Sequence, residues 1–181
     1  MRRAGRRFLL VGLVATPVVF AAMTFLLLRP PGRADSAIAA VSALSPTPTY
    51  IVLKDLGGLD ALAHSRRAAS GLPVMGRTSG RDLPVWVFRI GDDVRAFIAR
   101  DPRDGCPLVL YSRDGSVDHR AVSGGALFHD TCHGSLYDDQ GRPIDGPSPF
   151  YLDRLVLTIK DDAVFASTTD VQVGQFLLPQ R

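Results

Sequence analysis

FHDTCHGSLYDDQGRPIDGPSP, residues 128–149, is the stretch that decides how this chain is read. It carries one of the two cysteines, two of the four histidines and a Gly-Pro-Ser-Pro turn at Gly146, Pro147, Ser148 and Pro149. The other cysteine, Cys106, lies upstream in RDPRDGCPLVL, residues 100–110. Two cysteines cannot complete a four-thiolate metal site. Neither lies in a C-x-x-C pair, the usual setting of reactive dithiol chemistry. On the exported side of a membrane, two such cysteines are expected to form a disulfide.

Working outward, short apolar runs alternate with turn residues on both sides of this stretch. Upstream, PVWVFRI (84–90), Gly91-Asp92-Asp93 and VRAFIA (94–99) read as a β-hairpin. Further strands are expected at Tyr50–Leu53, Leu108–Tyr111, Ala126–His129, Leu136–Asp138, Arg154–Ile159 and Ala163–Ser167. Trp86, Phe88 and Phe97 are expected in the core, and His64 and His119 on the surface. Leu56–His64 is expected to form a helical turn weakened by Gly57-Gly58, and Ser65–Leu83 to form a long polar loop. Many short strands at this spacing predict an all-β sandwich of antiparallel strands.

All eighteen acidic residues are Asp, and nineteen of the twenty-one basic residues are Arg. The scarcity of Glu and Lys disfavours a helical bundle. The net charge of +3 is concentrated at one end. Residues 1–28 hold four Arg and no acid; residues 29–181 hold seventeen basic residues against eighteen Asp, a balance of −1. Nothing supports a basic nucleic-acid face.

Arg2, Arg3, Arg6 and Arg7 precede an uncharged run from Phe8 to Leu28. As a helix rising roughly 1.5 Å per residue, that run spans about 30 Å, one bilayer core. Leu26-Leu27-Leu28-Arg29 is a poor signal-peptidase site, so an uncleaved single-pass anchor is expected over 1–28. The four Arg place its N-terminus in the cytoplasm and the C-terminal domain on the exported, periplasmic-type side of the cell membrane. Residues 29–49 are rich in Pro, Ala and Ser and read as a spacer, with a short helix possible at Ser36–Leu44 and an extended tether around Pro46 and Pro48. The head is expected over 50–181.

The two cysteine-bearing segments resemble the cluster loops of membrane-anchored Rieske iron–sulfur proteins from quinol-oxidising cytochrome bc complexes. Those proteins carry C-x-H-x-G-C in a first loop, C-x-C-H-G-S-x-Y-D in a second, and then a G-P-A-P turn. This chain reads Asp101-Pro-Arg103-Asp-Gly105-Cys106 and Asp130-Thr-Cys132-His133-Gly134-Ser135-Leu-Tyr137-Asp138, then Gly146-Pro147-Ser148-Pro149. The resemblance extends over about residues 50–170. It implies a disulfide between Cys106 and Cys132, and iron-binding positions at Asp101, Arg103, Asp130 and His133. Ser135 and Tyr137 fall where the family hydrogen-bonds its cluster, and Gly146–Pro149 where a proline loop covers it.

Three of the four ligand positions thus lack a suitable donor. A Rieske [2Fe-2S] centre needs two thiolates and two imidazoles. Arg has no free lone pair, and Asp is a hard donor that substitutes poorly for thiolate. No cofactor is therefore expected. The alternatives are a [2Fe-2S] cluster in remodelled loops or a single zinc or iron ion on His129, Asp130 and His133, although on a strand His129 and Asp130 would face opposite ways. In place of metal, Arg103 is expected to pair with Asp101 and Asp130, with His133 adding a hydrogen bond. Tyr137 is expected to bond backbone.

The expected role is an accessory or structural subunit of a respiratory redox complex, without catalysis of its own, its partners being the membrane and subunits of a quinol or cytochrome complex. The alternatives are an active electron-transfer subunit with an altered metal centre and a free-standing small-ligand binding module.

Overall fold

The computed structural model describes residues 35–72, 76, 78–111 and 125–177. In chain order the elements are β1 (Ser36–Ala40), a 3₁₀ turn (Val41–Ala43), β2 (Thr49–Leu53), α1 (Gly57–Ala69), β3 (Leu83–Ile90), β4 (Asp93–Ile98), β5 (Leu108–Leu110), β6 (Phe128–Asp130), β7 (Leu136–Tyr137), β8 (Pro143–Asp145), β9 (Arg154–Lys160) and β10 (Ala163–Gln172). Every strand pair is antiparallel. The strands make a six-stranded sheet, ordered β1-β10-β9-β4-β3-β2, and a four-stranded sheet, ordered β5-β6-β7-β8.

Strand β3 explains why two layers stack on the large sheet. Side chains alternate across a strand with period two. Leu83, Val85 and Val87 join a core with Leu59 and Ala63 of α1. Trp86 and Phe88 face the other way, into a core with Leu108, Phe128 and Tyr137 of the small sheet. Strand β4 repeats the division: Ala96 and Ile98 lie on the helix side, and Phe97 on the small-sheet side. A strand buried on both faces reads as an almost unbroken apolar run, as LPVWVFRI does. Trp86 also donates its indole N–H to the Leu108 carbonyl at 3.0 Å, joining the two sheets.

Among the described residues the architecture is mostly β, as expected, with one 13-residue helix. Helix α1 runs on through Ser65–Ala69, where a loop was expected. Leu59, Ala63 and Arg67 recur every fourth residue and are all buried, so they line one helix face. The third member of that stripe is charged, which is why composition reads it as loop. Gly57 does not undo the helix. Its N–H donates to the Arg81 carbonyl at 2.8 Å. A Cβ there would lie 1.8 Å from the Gly80 carbonyl oxygen, so the close approach requires glycine.

Ser36–Leu44 also differs from the expected short helix. Ser36–Ala40 is an edge strand paired with β10. The Ser42 hydroxyl and amide both donate to the Asp162 carboxylate at the β9–β10 turn. The small side chains that weaken a helical signal fit an edge strand held by backbone bonds. Strand β8, within the Gln140–Ser148 stretch, was not expected. Among the described residues no helix is long and apolar enough to cross a membrane. The anchor expected over 1–28, and His119, lie outside the described residues.

Candidate functional site

Two loops, one between β4 and β5 and the other between β6 and β7, share one construction. In the first, the Asp101 N–H donates to the Cys106 carbonyl and the Gly105 N–H to the Asp101 carbonyl, both at 2.8 Å. In the second, the Asp130 N–H donates to the Ser135 carbonyl at 2.8 Å and the Gly134 N–H to the Asp130 carbonyl at 3.1 Å. Gly105 and Gly134 have φ of 75° and 82°, a left-handed conformation that ordinary side chains disfavour. The repeated signature is Asp-x-x-x-Gly.

Each aspartate folds its carboxylate back over its own loop. Asp101 Oδ1 accepts the Arg103 N–H at 2.7 Å. Asp130 Oδ1 accepts the Cys132 N–H at 2.8 Å, and Oδ2 the His133 N–H at 3.1 Å. These aspartates stand where the resemblance puts thiolate ligands. A carboxylate carries the same single negative charge and accepts backbone N–H groups, so the loops close without a metal. Both carboxylates are buried, Asp101 at 1 % exposure and Asp130 at 0 %.

Tyr137 and the proline-loop Ser148 converge on Asp101, and Ser135 holds Ser148. The Tyr137 hydroxyl donates to Asp101 Oδ2 at 2.7 Å, and the Ser148 hydroxyl to Oδ1 at 3.1 Å. Ser135 Oγ accepts the Ser148 N–H at 3.2 Å. The expectation that Tyr137 bonds backbone is therefore corrected: its partner is a carboxylate. Burial, and then the Asp101 charge, push the Tyr137 phenol far above its ordinary range, so it remains a donor. Burial also raises the Asp101 carboxyl; the bonds from Tyr137, Arg103 and Ser148 oppose that rise, and nearby Asp104 adds to it.

This gives a pH prediction. Because the folded carboxyl titrates above its unfolded value, Asp101 contributes stability that is complete below the unfolded pKa and lost as pH rises through the folded one. Urea unfolding across the acid range should show wild type losing stability relative to Asp101→Asn as pH rises. Each pH unit between the two titrations corresponds to about 1.4 kcal/mol. Parallel pH profiles for the two proteins would refute it.

Arg103 does not bridge the aspartates. Its N–H serves Asp101, but among the described residues its guanidinium forms no salt bridge. The loops are joined instead by the disulfide Cys106–Cys132, with Cα atoms 6.1 Å apart, and by His133. Nδ1 of His133 lies 2.7 Å from Asp104 Oδ2 in the first loop and 3.6 Å from Asp130 Oδ2 in its own. Asp104 had no place in the expected site.

The proline loop contributes Ser148, which is buried at 4 % exposure. Gly146 permits this approach: its φ is +88°, and a Cβ would lie 2.5 Å from Ser135 Cα. Gly146→Ala is expected to destabilise by about 1–3 kcal/mol through overpacking. Faster hydrogen exchange at the Ser148 amide, with a lower urea midpoint, would place the damage at this contact.

His129 is not brought to the site. It lies between buried Phe128 and Asp130 on β6, and its ring meets Tyr111 at 6.3 Å. The set His129, Asp130 and His133 is therefore not assembled. Two other donor groups are. One comprises carboxylate oxygens of Asp101, Asp104 and Asp130; the other comprises Cys106, Asp130, Cys132 and His133. In each group the ligand atoms lie within 4.8 Å of one another. Neither fits a Rieske cluster. The two cysteine sulfurs are bonded to each other, and a single imidazole accompanies them.

A buried ion pair that the sequence did not reveal supports the first loop through its arginine. Arg67 of α1 pairs with Asp153 and donates to the Pro102 carbonyl at 3.1 Å. Its guanidinium lies 5.1 Å over the Phe150 ring. A cavity of about 220 Å³, lined by Gln140, Arg154, Gln172 and Gln175 among others, involves neither loop.

No family model matches the chain, and no curated protein matches it. Solved structures do, among them those of dicamba monooxygenase in its apo form and bound to dicamba. Each is 16 % identical over 76 % of this chain, with a TM-score of 0.42. This chain spans about a third of their length, 34 % and 33 % respectively.

Proposed function

We propose that this chain is a membrane-anchored, Rieske-like head without a functional [2Fe-2S] cluster, serving as an accessory or structural subunit of a respiratory redox complex. One observation carries the reading. The two thiolate-ligand positions hold aspartates whose carboxylates already close the loops, while the cysteine clamp between the loops is retained. A chain kept in this form offers a rigid loop surface for docking and lacks the donors for one-electron transfer through a Rieske centre. Membrane attachment rests on the charge and hydropathy of residues 1–28.

The reduced full chain is expected to show no Rieske-type signal in visible absorption or low-temperature electron paramagnetic resonance. Gentle solubilisation of membranes is expected to release it with quinol- or cytochrome-type redox subunits. A Rieske-type signal would establish an active electron-transfer subunit instead. Isolation without any partner would favour a free-standing binding module. A second reading, an altered single-metal centre, draws on the close approach of Asp101, Asp104 and Asp130. Stoichiometric metal in the oxidised protein, lost in Asp104→Asn, would select it.

A further inference from the structure

We propose that the Cys106–Cys132 disulfide masks a zinc site, opened by reduction, in which Cys106, Cys132, His133 and Asp130 are the four ligands. Their ligand atoms already lie within 4.8 Å of one another. Two thiolates, one imidazole and one carboxylate form a donor set suited to tetrahedral Zn²⁺. Only modest opening is needed, because zinc holds its ligands at about 2.0–2.3 Å. This inference goes beyond the accessory role and does not depend on it.

The surroundings suit a metal as well as the donors do. Cys132 and His133 are exposed, so a reductant and an ion both have access. Asp130 is fully buried and aimed by two backbone N–H bonds, from Cys132 and His133. Asp104 sits 2.7 Å from His133 Nδ1. A carboxylate beside a metal-binding imidazole fixes its orientation and raises its basicity. Asp104 is thus assigned as a positioning residue.

The chemistry balances in two steps. A dithiol reductant attacks the disulfide by thiol–disulfide exchange. The Cys106–Cys132 sulfur–sulfur bond breaks, both cysteines leave as thiols, and the reductant becomes a cyclic disulfide. Zn²⁺ then displaces the two thiol protons to solvent and binds two thiolates, neutral imidazole and carboxylate. Exchange with an external disulfide reverses the process: the Cys106–Cys132 bond re-forms, the external sulfur–sulfur bond breaks and its two sulfurs take up two protons as thiols, and the ion is released.

Cobalt reports the site directly. The full chain is reduced with dithiothreitol, desalted without oxygen and titrated with Co²⁺, and a parallel sample is left oxidised. The expected result is one equivalent of Co²⁺ with a thiolate-to-metal charge-transfer band and tetrahedral visible bands, all displaced by Zn²⁺. The oxidised sample should show none of these. His133→Ala should abolish the tetrahedral spectrum, and Asp104→Asn should weaken binding about 10–100-fold while keeping the spectrum. Circular dichroism accompanies each titration. If reduction unfolds the chain, Zn²⁺ should restore the native β spectrum of wild type and not of His133→Ala. Absence of the charge-transfer band, an unchanged spectrum in His133→Ala, equal binding by the oxidised chain, or failure of zinc to restore an unfolded reduced chain would each overturn the proposal.

Discussion

Replacing Arg67 with methionine is expected to lower the unfolding free energy by about 3–5 kcal/mol, the usual loss when one partner of a buried ion pair is removed. Arg67 and Asp153 have side-chain exposures of 1 % and 5 %. Water cannot take over for the missing guanidinium. Asp153 would keep the Gly174 N–H at 2.8 Å but lose its counter-charge. The Pro102 carbonyl would lose its donor too, so the damage reaches the first loop. Met keeps most of the volume against Phe150, which separates charge loss from cavity formation.

The pH dependence provides a second readout. Burial already raises the Asp153 carboxyl, with Arg67 opposing the rise. Without Arg67 that opposition is gone, and protonation becomes the only way to discharge the buried group. The destabilisation should therefore be greatest near neutral pH and shrink on acidification through the folded titration. Arg67→Met combined with Asp153→Asn should recover part of the loss at neutral pH. Urea midpoints for the wild type, both single variants and the double variant close the cycle. A loss under about 1 kcal/mol for Arg67→Met would show that the pair is replaceable.

Removing the clamp should have an effect of similar size by a different route. Cys106→Ser with Cys132→Ser is expected to destabilise by about 2–4 kcal/mol, and chain entropy alone gives about 3.5 kcal/mol for this loop length. Cys106 and Cys132 are separated by 26 residues. The cross-link acts mainly on the unfolded chain, which loses freedom when the two points are joined. The native loops should therefore persist in the variant. Asp101 and Asp130 still cap their own loops, and His133 still reaches Asp104. Amide exchange on β6 and β7 should slow or speed only with global stability. Selective loss of protection in the two loops would show that the disulfide holds native structure directly.

The sheets were largely legible because their signals are local. PVWVFRI followed by Gly-Asp-Asp and VRAFIA carries its own hairpin, and β3–β4 pair over Val85–Ile98 as that pattern demands. The edge strand β1 was not legible, since Ser-Ala-Ile-Ala-Ala has little side-chain signal and its pairing with β10 spans most of the chain. The end of α1 was missed for a related reason. A buried arginine has the same letter as a surface one, and only the distant Asp153 distinguishes them. In the structure Asp101, Asp130, Cys106, Cys132, His133, Ser135, Tyr137 and Ser148 lie in one connected set of contacts. The wiring among them did not follow from the motif.

The stretches 100–110 and 128–149 by themselves determined that three of the four positions the resemblance matches to cluster ligands held no suitable donor, because residue identity alone sets lone pairs and charge. Tertiary structure alone decided what those side chains do instead. Among the described residues the Arg103 guanidinium pairs with neither carboxylate and only its backbone N–H meets Asp101, Tyr137 turns its hydroxyl to Asp101, and Asp104 takes the contact with His133. Such choices depend on which groups burial brings within about 3 Å, a distance that the order of residues does not contain.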